Sequence, residues 1–360
     1  MSRTIRWGIF GTGVIAAKLA SDIAHAPSAA LAGVASRDPA RARDFAATWG
    51  AGASHDSYEA LAMDPQIDAI YVATPNALHR DHALLALGAG KPVLCEKPFA
   101  LNGAQAREIA EAARAADVFC MEAMWTRFLP VITEIRRQTQ SGAIGEISLL
   151  RASMGFPVDG DPTNRFNDPD LGGGALLDLG VYGVSLAHML FGAPDRVQAE
   201  AIIGPTGVDR QVTMQLGYPD RTAAIAVSHM AELGNRLEVT GTTGRIEVDA
   251  PFLQATRARI HGFALAPLGT AAIPVREGAV KTVLKRSGLW PLARTLARRA
   301  LGRDGQKISM SFPGNGYQFE LEEVARCLTA GETESPVMPL DETIAVMETL
   351  DRLRNQFGEA

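Results

Sequence analysis

The stretch Ile5–Ile23, IRWGIFGTGVIAAKLASDI, joins a short apolar run to a helical pattern through two closely spaced glycines. Ile5 to Phe10 reads as a buried strand, and Ile15, Leu19 and Ile23 recur at a spacing that places them on one helical face. Between them, Gly11-Thr12-Gly13-Val14-Ile15-Ala16 has the form GxGxxA. Gly11 permits a tight turn, Gly13 lets backbone approach a pyrophosphate, and Ala16 is small enough for the helix to pack closely on the strand. An anion held there meets the free N–H groups and the positive dipole end of the helix. A glycine run alone is also what a plain turn looks like. The strand before it, the helix after it and a second strand about 20 residues on favour a dinucleotide site.

Outward from this unit the alternation continues. Leu31 to Ala35, Ala69 to Ala73, Val93 to Cys95 and Val118 to Met121 read as further strands, and Ala83, Leu84 and Leu87 share a helical face between two of them. Strands alternating with helices imply a doubly wound parallel sheet, because each crossover must pass over a face. After Phe128 a helix is expected to about Gln140. The period then becomes two, with Leu150, Ala152, Met154 and Phe156 on one face. A helix from about Ala175 to Leu190 follows. Candidate strands then carry Val212, Met214 and Leu216, Ile225 and Val227, Leu237 and Val239, and Ile246 and Val248. Strands in succession without helices imply a large, mostly antiparallel, open sheet. Two closing helices carry Leu321, Val324, Ala325 and Leu328, then Ile344, Met347, Leu350 and Phe357. The expected organisation is α/β, with a Rossmann domain over 1–123 and an α+β substrate-binding and oligomerisation domain over 124–360. The latter includes a basic insert at about 254–310, and its closing helices are expected to pack back on the first domain.

With 360 residues, 47% apolar and 21% charged, the chain reads as an ordinary globular protein too long for one core. Its net charge of -5 gives no overall pull toward nucleic acid. Cys95, Cys120 and Cys327 are widely spaced and lack the close pairs of a zinc site or disulfide framework, so reduced structural thiols and no metal are expected. The N-terminus leaves no room for a signal peptide, and no run approaches the roughly 20 apolar residues of a membrane span. A cytoplasmic protein without a membrane partner is the expectation.

The second strand ends at Ala35-Ser36-Arg37, where an NAD-selective site places an acidic residue on the ribose. Ser36 and Arg37 suit a 2'-phosphate instead, since Arg donates to phosphate in a bidentate, charge-assisted geometry. NADP is therefore expected, with NAD left open through Asp38 turning back to the ribose. Glu96-Lys97-Pro98 ends the strand Val93 to Cys95 at the edge where such sheets bind ligands. There Lys97 either serves a reacting oxygen or is a surface charge beside a turn proline, whose Lys97–Pro98 bond is a candidate for the cis form.

Four motifs occur in order: Ala73-Thr74-Pro75-Asn76-Ala77-Leu78-His79, Glu96-Lys97-Pro98, Glu122-Ala123-Met124-Trp125-Thr126-Arg127-Phe128, and Gly172-Gly173-Gly174-Ala175-Leu176-Leu177-Asp178-Leu179-Gly180-Val181-Tyr182. Together they resemble the family of glucose-fructose oxidoreductase, inositol dehydrogenase and MocA, most closely its dimeric dihydrodiol dehydrogenase and NADP-linked D-xylose dehydrogenase branch. The likeness covers the chain except between about Gln254 and Met310. It implies an NAD(P)-dependent dehydrogenase acting on a sugar or cyclic diol hydroxyl, with Lys97 and Asp178 in the site. Many members carry His where this chain has Tyr182, and the dihydrodiol and glucose-fructose branches resemble it in using Tyr.

On this reading Tyr182 is the general base, Lys97 depresses its pKa and Asp178 orients it or the substrate. The cofactor set is Gly11, Thr12, Gly13, Val14, Ile15, Ser36, Arg37, Thr74, Pro75, Asn76, His79, Glu96, Lys97, Trp125 and Arg127. The likeness puts His79, Trp125 and Arg127 near the nicotinamide or its ribose. Trp125, Phe156, Arg165, Asp178 and Tyr182 are the substrate set, while His188 and His229 read as structural. An aldose–aldose oxidoreductase with tightly held cofactor and a non-catalytic cofactor sensor are the competing readings.

In the segment where the likeness lapses, Lys281, Lys285, Arg286, Arg294, Arg298, Arg299 and Arg303 lie among apolar residues. A short basic amphipathic helix is expected from Pro291, placed near a domain or dimer interface rather than anchored in a membrane. A homodimer or higher oligomer through the C-terminal sheet is expected, on the argument that its uncovered face is an apolar patch. The cofactor assignment is checked by catalytic efficiency with each nucleotide. NADP is expected to win, and Arg37→Ala to lower the NADP/NAD ratio by roughly tenfold per charge-assisted hydrogen bond lost.

Overall fold

The computed structural model describes residues 4–263 and 305–357; the helix expected from Pro291 and its basic side chains lie outside the described residues. The chain begins with β1 (Ile5–Phe10), α1 (Val14–Ile23), β2 (Ala29–Ala35), α2 (Pro39–Trp49), β3 (Ala53–His55) and α3 (Tyr58–Met63). It continues through β4 (Ala69–Val72), α4 (His79–Gly88), β5 (Val93–Glu96), α5 (Gly103–Ala116) and β6 (Cys120–Ala123). These strands form a parallel sheet of order β3-β2-β1-β4-β5-β6, with Trp7, Ile9, Val34, Ile70, Leu94 and Met121 buried in it. The order reverses direction between β1 and β4, so the carboxyl ends of β1, β4, β5 and β6 open on one crevice. β3 is absent from the sequence reading because three residues are too few to display a period. The sixth strand is Cys120–Ala123 rather than Val118 to Met121.

A second layer follows: α6 (Pro130–Gln140), β7 (Ile147–Gly155), a π-helical turn (Leu176–Gly180) running into α7 (Val181–Phe191), and β8 (Arg196–Ile203). Then come β9 (Asp209–Gly217), β10 (Thr222–Ser228), β11 (Arg236–Gly241), β12 (Gly244–Val248), β13 (Arg257–Gly262) and β14 (Gln306–Ser309). The eight strands run in the order β14-β13-β12-β11-β7-β10-β9-β8; β7 and β10 pair in parallel and the other neighbours antiparallel. On one face α7 presses close, and a Cβ added at Gly183 would come within 2.8 Å of Ile225. The helical stretch Pro169–Phe191 is long and apolar enough to cross a membrane, which the sequence reading did not anticipate. Its most apolar window is 83% buried in the fold, and that burial accounts for its composition.

The opposite face of the sheet is of mixed character, with Ala199, Ala224 and Ala226 set among charged and polar side chains. Strand alternation sends Val212, Met214 and Leu216 inward, and a concave groove of about 850 Å³ on the outer side is lined by Arg151, Thr213, Gln215, Arg236 and Glu238. Phe156, expected on the inward face of β7, falls one residue past the strand and is 39% exposed.

The chain then returns to the first sheet through α8 (Gln318–Ala330) and α9 (Leu340–Arg354). Asp22 of α1 is completely buried and accepts from Asn315 N at 2.8 Å, Asn315 Nδ2 at 2.9 Å and Tyr317 N at 3.0 Å, holding the entry to α8. Asp351 of α9 accepts from Gly103 N at 2.7 Å, and Glu348 pairs with Arg107, both at the start of α5. Deleting the Asp22 carboxylate leaves buried donors without partners, which is costlier than losing one balanced hydrogen bond. Asp22→Ala is expected to lower stability by about 2–4 kcal/mol in urea denaturation, and Asp22→Asn by less.

Candidate active site

At the end of β1 the backbone turns with Gly11 at φ 106°, where a Cβ would stand 2.7 Å from the Ala73 carbonyl oxygen; only glycine fits. Beyond it, a Cβ on Gly13 would meet nothing within 4 Å, and Val14 is 74% exposed at the start of α1. That helix has no capping side chain and no acidic residue in its first turn. Open space against free helical N–H groups is what a pyrophosphate requires, so the residues present fit a dinucleotide. Ile15 is half-buried against the core.

At the end of β2, Thr12 Oγ1 lies 3.5 Å from the buried Ser36 Oγ, and Arg37 is exposed. Asp38 is exposed at the start of α2. Its carboxylate caps α2, accepting from Ala40 N at 2.9 Å.

Past β4, Thr74 and Pro75 lead into Asn76, whose Nδ2 donates to the Gly172 carbonyl at 3.1 Å and so ties the first lobe to the loop of the second. Thr74 Oγ1 meets His82 Nδ1 at 2.9 Å. His79 is buried with its ring nitrogens 2.9 Å from the Thr74 carbonyl and 2.8 Å from that of Pro98. Burial pushes its pKa down to about 4 against the pull of these two carbonyls, which favour the charged ring; a neutral ring donates to only one of them, at the end of either β4 or β5. Glu96 is also buried; it accepts from Lys97 N at 3.0 Å and from the Tyr71 hydroxyl, and burial raises its pKa.

Lys97 follows, with a cis bond to Pro98 as the sequence reading anticipated. Its Nζ donates to the Asp178 carbonyl oxygen at 2.8 Å and to Asp178 Oδ1 at 3.1 Å, and lies 4.7 Å from the centre of the Tyr182 ring. Burial disfavours the ammonium, but Asp178, Tyr182 and Glu96 outweigh it and hold the pKa above the ordinary lysine value. Burial likewise works against the Asp178 carboxylate. Lys97, His229 and Arg165 overcome it, leaving the pKa well below the ordinary range.

Trp125 Nε1 donates to the Tyr182 hydroxyl at 3.1 Å, and its ring stacks on Tyr317 at 5.0 Å. The sequence reading has Lys97 depress the Tyr182 pKa, and the structure reverses the net sign. Lys97 and the Trp125 N–H do pull downward, yet burial is larger and pushes the phenol up to about 12.

Arg127, expected beside the nicotinamide, is turned away. Its guanidinium is sealed in the core against Ser185 Oγ at 2.7 Å, the Ser185 carbonyl at 2.6 Å and Glu342 at 2.7 Å. Along the single 3-10 turn Trp125–Phe128, Trp125 and Arg127 thus reach opposite destinations.

Two residues of this constellation escape the sequence reading. His229, treated as structural, is completely buried with Nε2 3.2 Å from Asp178 Oδ2, the oxygen Lys97 leaves free. Asp209 Oδ2 accepts from Leu176 N at 2.6 Å and so fixes the first residue of the π-helical turn that carries Asp178. Gly174 sits so tightly on this carboxylate that a Cβ would come within 2.4 Å of it. Phe156, Phe166 and His229 form an aromatic wall beside Asp178, with centroids 5.1 to 5.8 Å apart. Arg165 lies over Phe166 at 4.0 Å.

A nucleotide cradle at the switch point of one sheet, whose edge also supplies Lys97, facing Asp178 and Tyr182 from the second lobe, defines a two-lobed oxidoreductase of the nicotinamide type. Residues 5–124 match the oxidoreductase family with NAD-binding Rossmann fold, and residues 132–247 match the GFO/IDH/MocA C-terminal domain; the chain belongs to the GFO/IDH/MocA family and is an NAD(P)-dependent dehydrogenase. It is 34% identical over 359 residues to trans-1,2-dihydrobenzene-1,2-diol dehydrogenase of Xenopus laevis, covering 98% of each chain. Among solved structures it resembles a 3-ketoreductase from Actinomadura kijaniata in complex with NADP and TDP-benzene (23% identity, TM-score 0.79, covering 99% of this chain and 98% of that one). It also resembles a levoglucosan dehydrogenase in complex with NADH and levoglucosan (20%, TM-score 0.79, 98% and 97%).

Asp209→Ala, which leaves Leu176 N unpaired, is expected to cost about 1–3 kcal/mol in urea denaturation and to lower turnover by displacing Asp178. Asp209→Asn keeps an acceptor and should restore most of both.

Proposed function

We propose that the chain is an NADP-dependent dehydrogenase that oxidises a secondary alcohol of a sugar or cyclic diol, with Tyr182 as the proton-transferring group. The observation that carries this reading is the convergence of Lys97, Asp178 and Tyr182 on one buried point at the crevice edge of the nucleotide sheet. Ser36 and Arg37 support NADP, since Asp38 Oδ1 is engaged in capping α2 and the chain offers a hydroxyl and a guanidinium where β2 ends. The dihydrodiol dehydrogenase relative and the levoglucosan-bound neighbour are in keeping with a hydroxylated ring as substrate.

The nicotinamide, when bound, supplies the hydride chemistry. In alcohol oxidation the Tyr182 phenolate takes the hydroxyl proton, and in ketone reduction the neutral phenol returns it. Lys97 and the Trp125 N–H stabilise the phenolate, so each lowers the cost of the form needed for oxidation. Asp178 keeps Lys97 in place and charged. His229 holds the other oxygen of that carboxylate, so the Lys97 ammonium and its target stay fixed relative to the Tyr182 hydroxyl.

With the phenol pushed up to about 12, Tyr182 is protonated at neutral pH. Oxidation should therefore quicken as pH rises from 7 to 10, while reduction should stay nearly flat over that range. Following reduced cofactor by absorbance across a panel of sugars and cyclic diols tests the reaction. Tyr182→Phe and Lys97→Met are each expected to lower turnover by roughly a hundredfold or more with folding and cofactor binding retained, and Tyr182→Phe to abolish the rise with pH. Near wild-type turnover in Tyr182→Phe would assign the proton to another group.

A further inference from the structure

Lys97 is spent on Asp178, but Arg165, close enough for its charge to act on Asp178, has no ion-pair partner among the described residues. It is exposed, yet its position is defined. The guanidinium lies 4.0 Å over the Phe166 ring, Phe166 meets His229 edge-on at 5.1 Å, and His229 bonds Asp178 at 3.2 Å. Its charge reaches Asp178 and Glu96, where, behind burial and nearer partners, it favours both carboxylates. A guanidinium seated over an aromatic face still offers its N–H donors, and Arg165 is exposed to receive a ligand; this fork is the group that suits bidentate capture of carboxylate or phosphate. Phe156, 39% exposed, extends the same wall and offers an apolar face to one side of a ring.

We propose that the substrate is a ring alcohol bearing an anionic group, carboxylate or phosphate, which Arg165 binds over Phe166 while the reacting hydroxyl lies at Tyr182. This rests on the dehydrogenase reading above and narrows its substrate class. An uncharged ring alcohol would leave the stacked cation without a counter-charge. An anionic one exchanges water for a charge-assisted pair with an arginine already held over Phe166, which lowers the cost of ordering it.

The test compares D-glucose, D-glucuronate and D-glucose 6-phosphate in the presence of NADP, by calorimetric binding and by kcat/KM. At low salt at least one anionic sugar should bind about tenfold or more tightly than D-glucose, with the advantage shrinking as ionic strength rises. Whether glucuronate or glucose 6-phosphate gains identifies the anion. Arg165→Met should bring the anionic-to-neutral ratio close to one in both measurements, and Arg165→Lys should keep part of it. Equal binding of charged and neutral sugars by the wild type, or an advantage that survives Arg165→Met, overturns the proposal. Preferential binding with no turnover of any ring alcohol would sustain Arg165 and sink the Tyr182 reading. Turnover without charge preference would do the reverse.

Discussion

The ion pair between Lys97 and Asp178 joins the end of a parallel strand to a helical turn lying on a different sheet, and the site exists because both halves of that pair are held. A buried pair is expensive, since two ions leave water and their attraction repays this only when the remaining hydrogen-bonding capacity is filled. Here it is filled from several directions. Lys97 has a carbonyl and a carboxylate oxygen of Asp178 and an aromatic face; the second carboxylate oxygen has His229. Neither charge is free to neutralise itself by titration near neutral pH, because each partner favours the charged form of the other.

What holds Asp178 is the unusual winding beneath it. Leu176–Gly180 forms a π-helical turn, a local widening that recurs at functional sites, and it directs the Asp178 carbonyl to Lys97 as well as its side chain. Asp209 supplies the acceptor that anchors the first residue of this turn, and Gly174 permits the close packing that brings Asp209 there. The mostly antiparallel sheet thus contributes more than a wall: its strand ends at Asp209 and just past Ser228 fix the geometry of the helical turn that carries Asp178.

The alternation of short apolar runs with helical faces was enough to read the first sheet, because its strands are buried on both sides and its helices on one. β3 and the exact bounds of β6 were not readable, since three or four residues carry too little pattern. In the candidate site, the glycine turn followed from conformational logic, whereas Asp178 and Tyr182 were reached by resemblance to a family. His229 and Asp209 could not be found from spacing: they lie 51 and 31 residues from Asp178 and are delivered by sheet pairing. Arg127 was placed beside the nicotinamide by the family likeness, and a shared motif does not say which way a side chain leaves a tight turn; here it turns into the core. The sign of the Tyr182 shift depends on burial, which no local pattern contains.

The return of the last two helices to the first sheet bears on how the molecule is born. Asp22 and its partner Asn315 are 293 residues apart, and Gly103 and Asp351 are 248 apart. At ~5–20 residues per second, the ribosome emits Asn315 on the order of 15–60 s after Asp22, long after the nucleotide sheet has had time to collapse. During that interval the outer surfaces of α1 and α5 are uncovered and their acceptors and amides face water. The growing chain therefore passes through a stage with a formed nucleotide cradle and unguarded flanks, when chaperones or wrong neighbours have access to surfaces that the finished protein never shows.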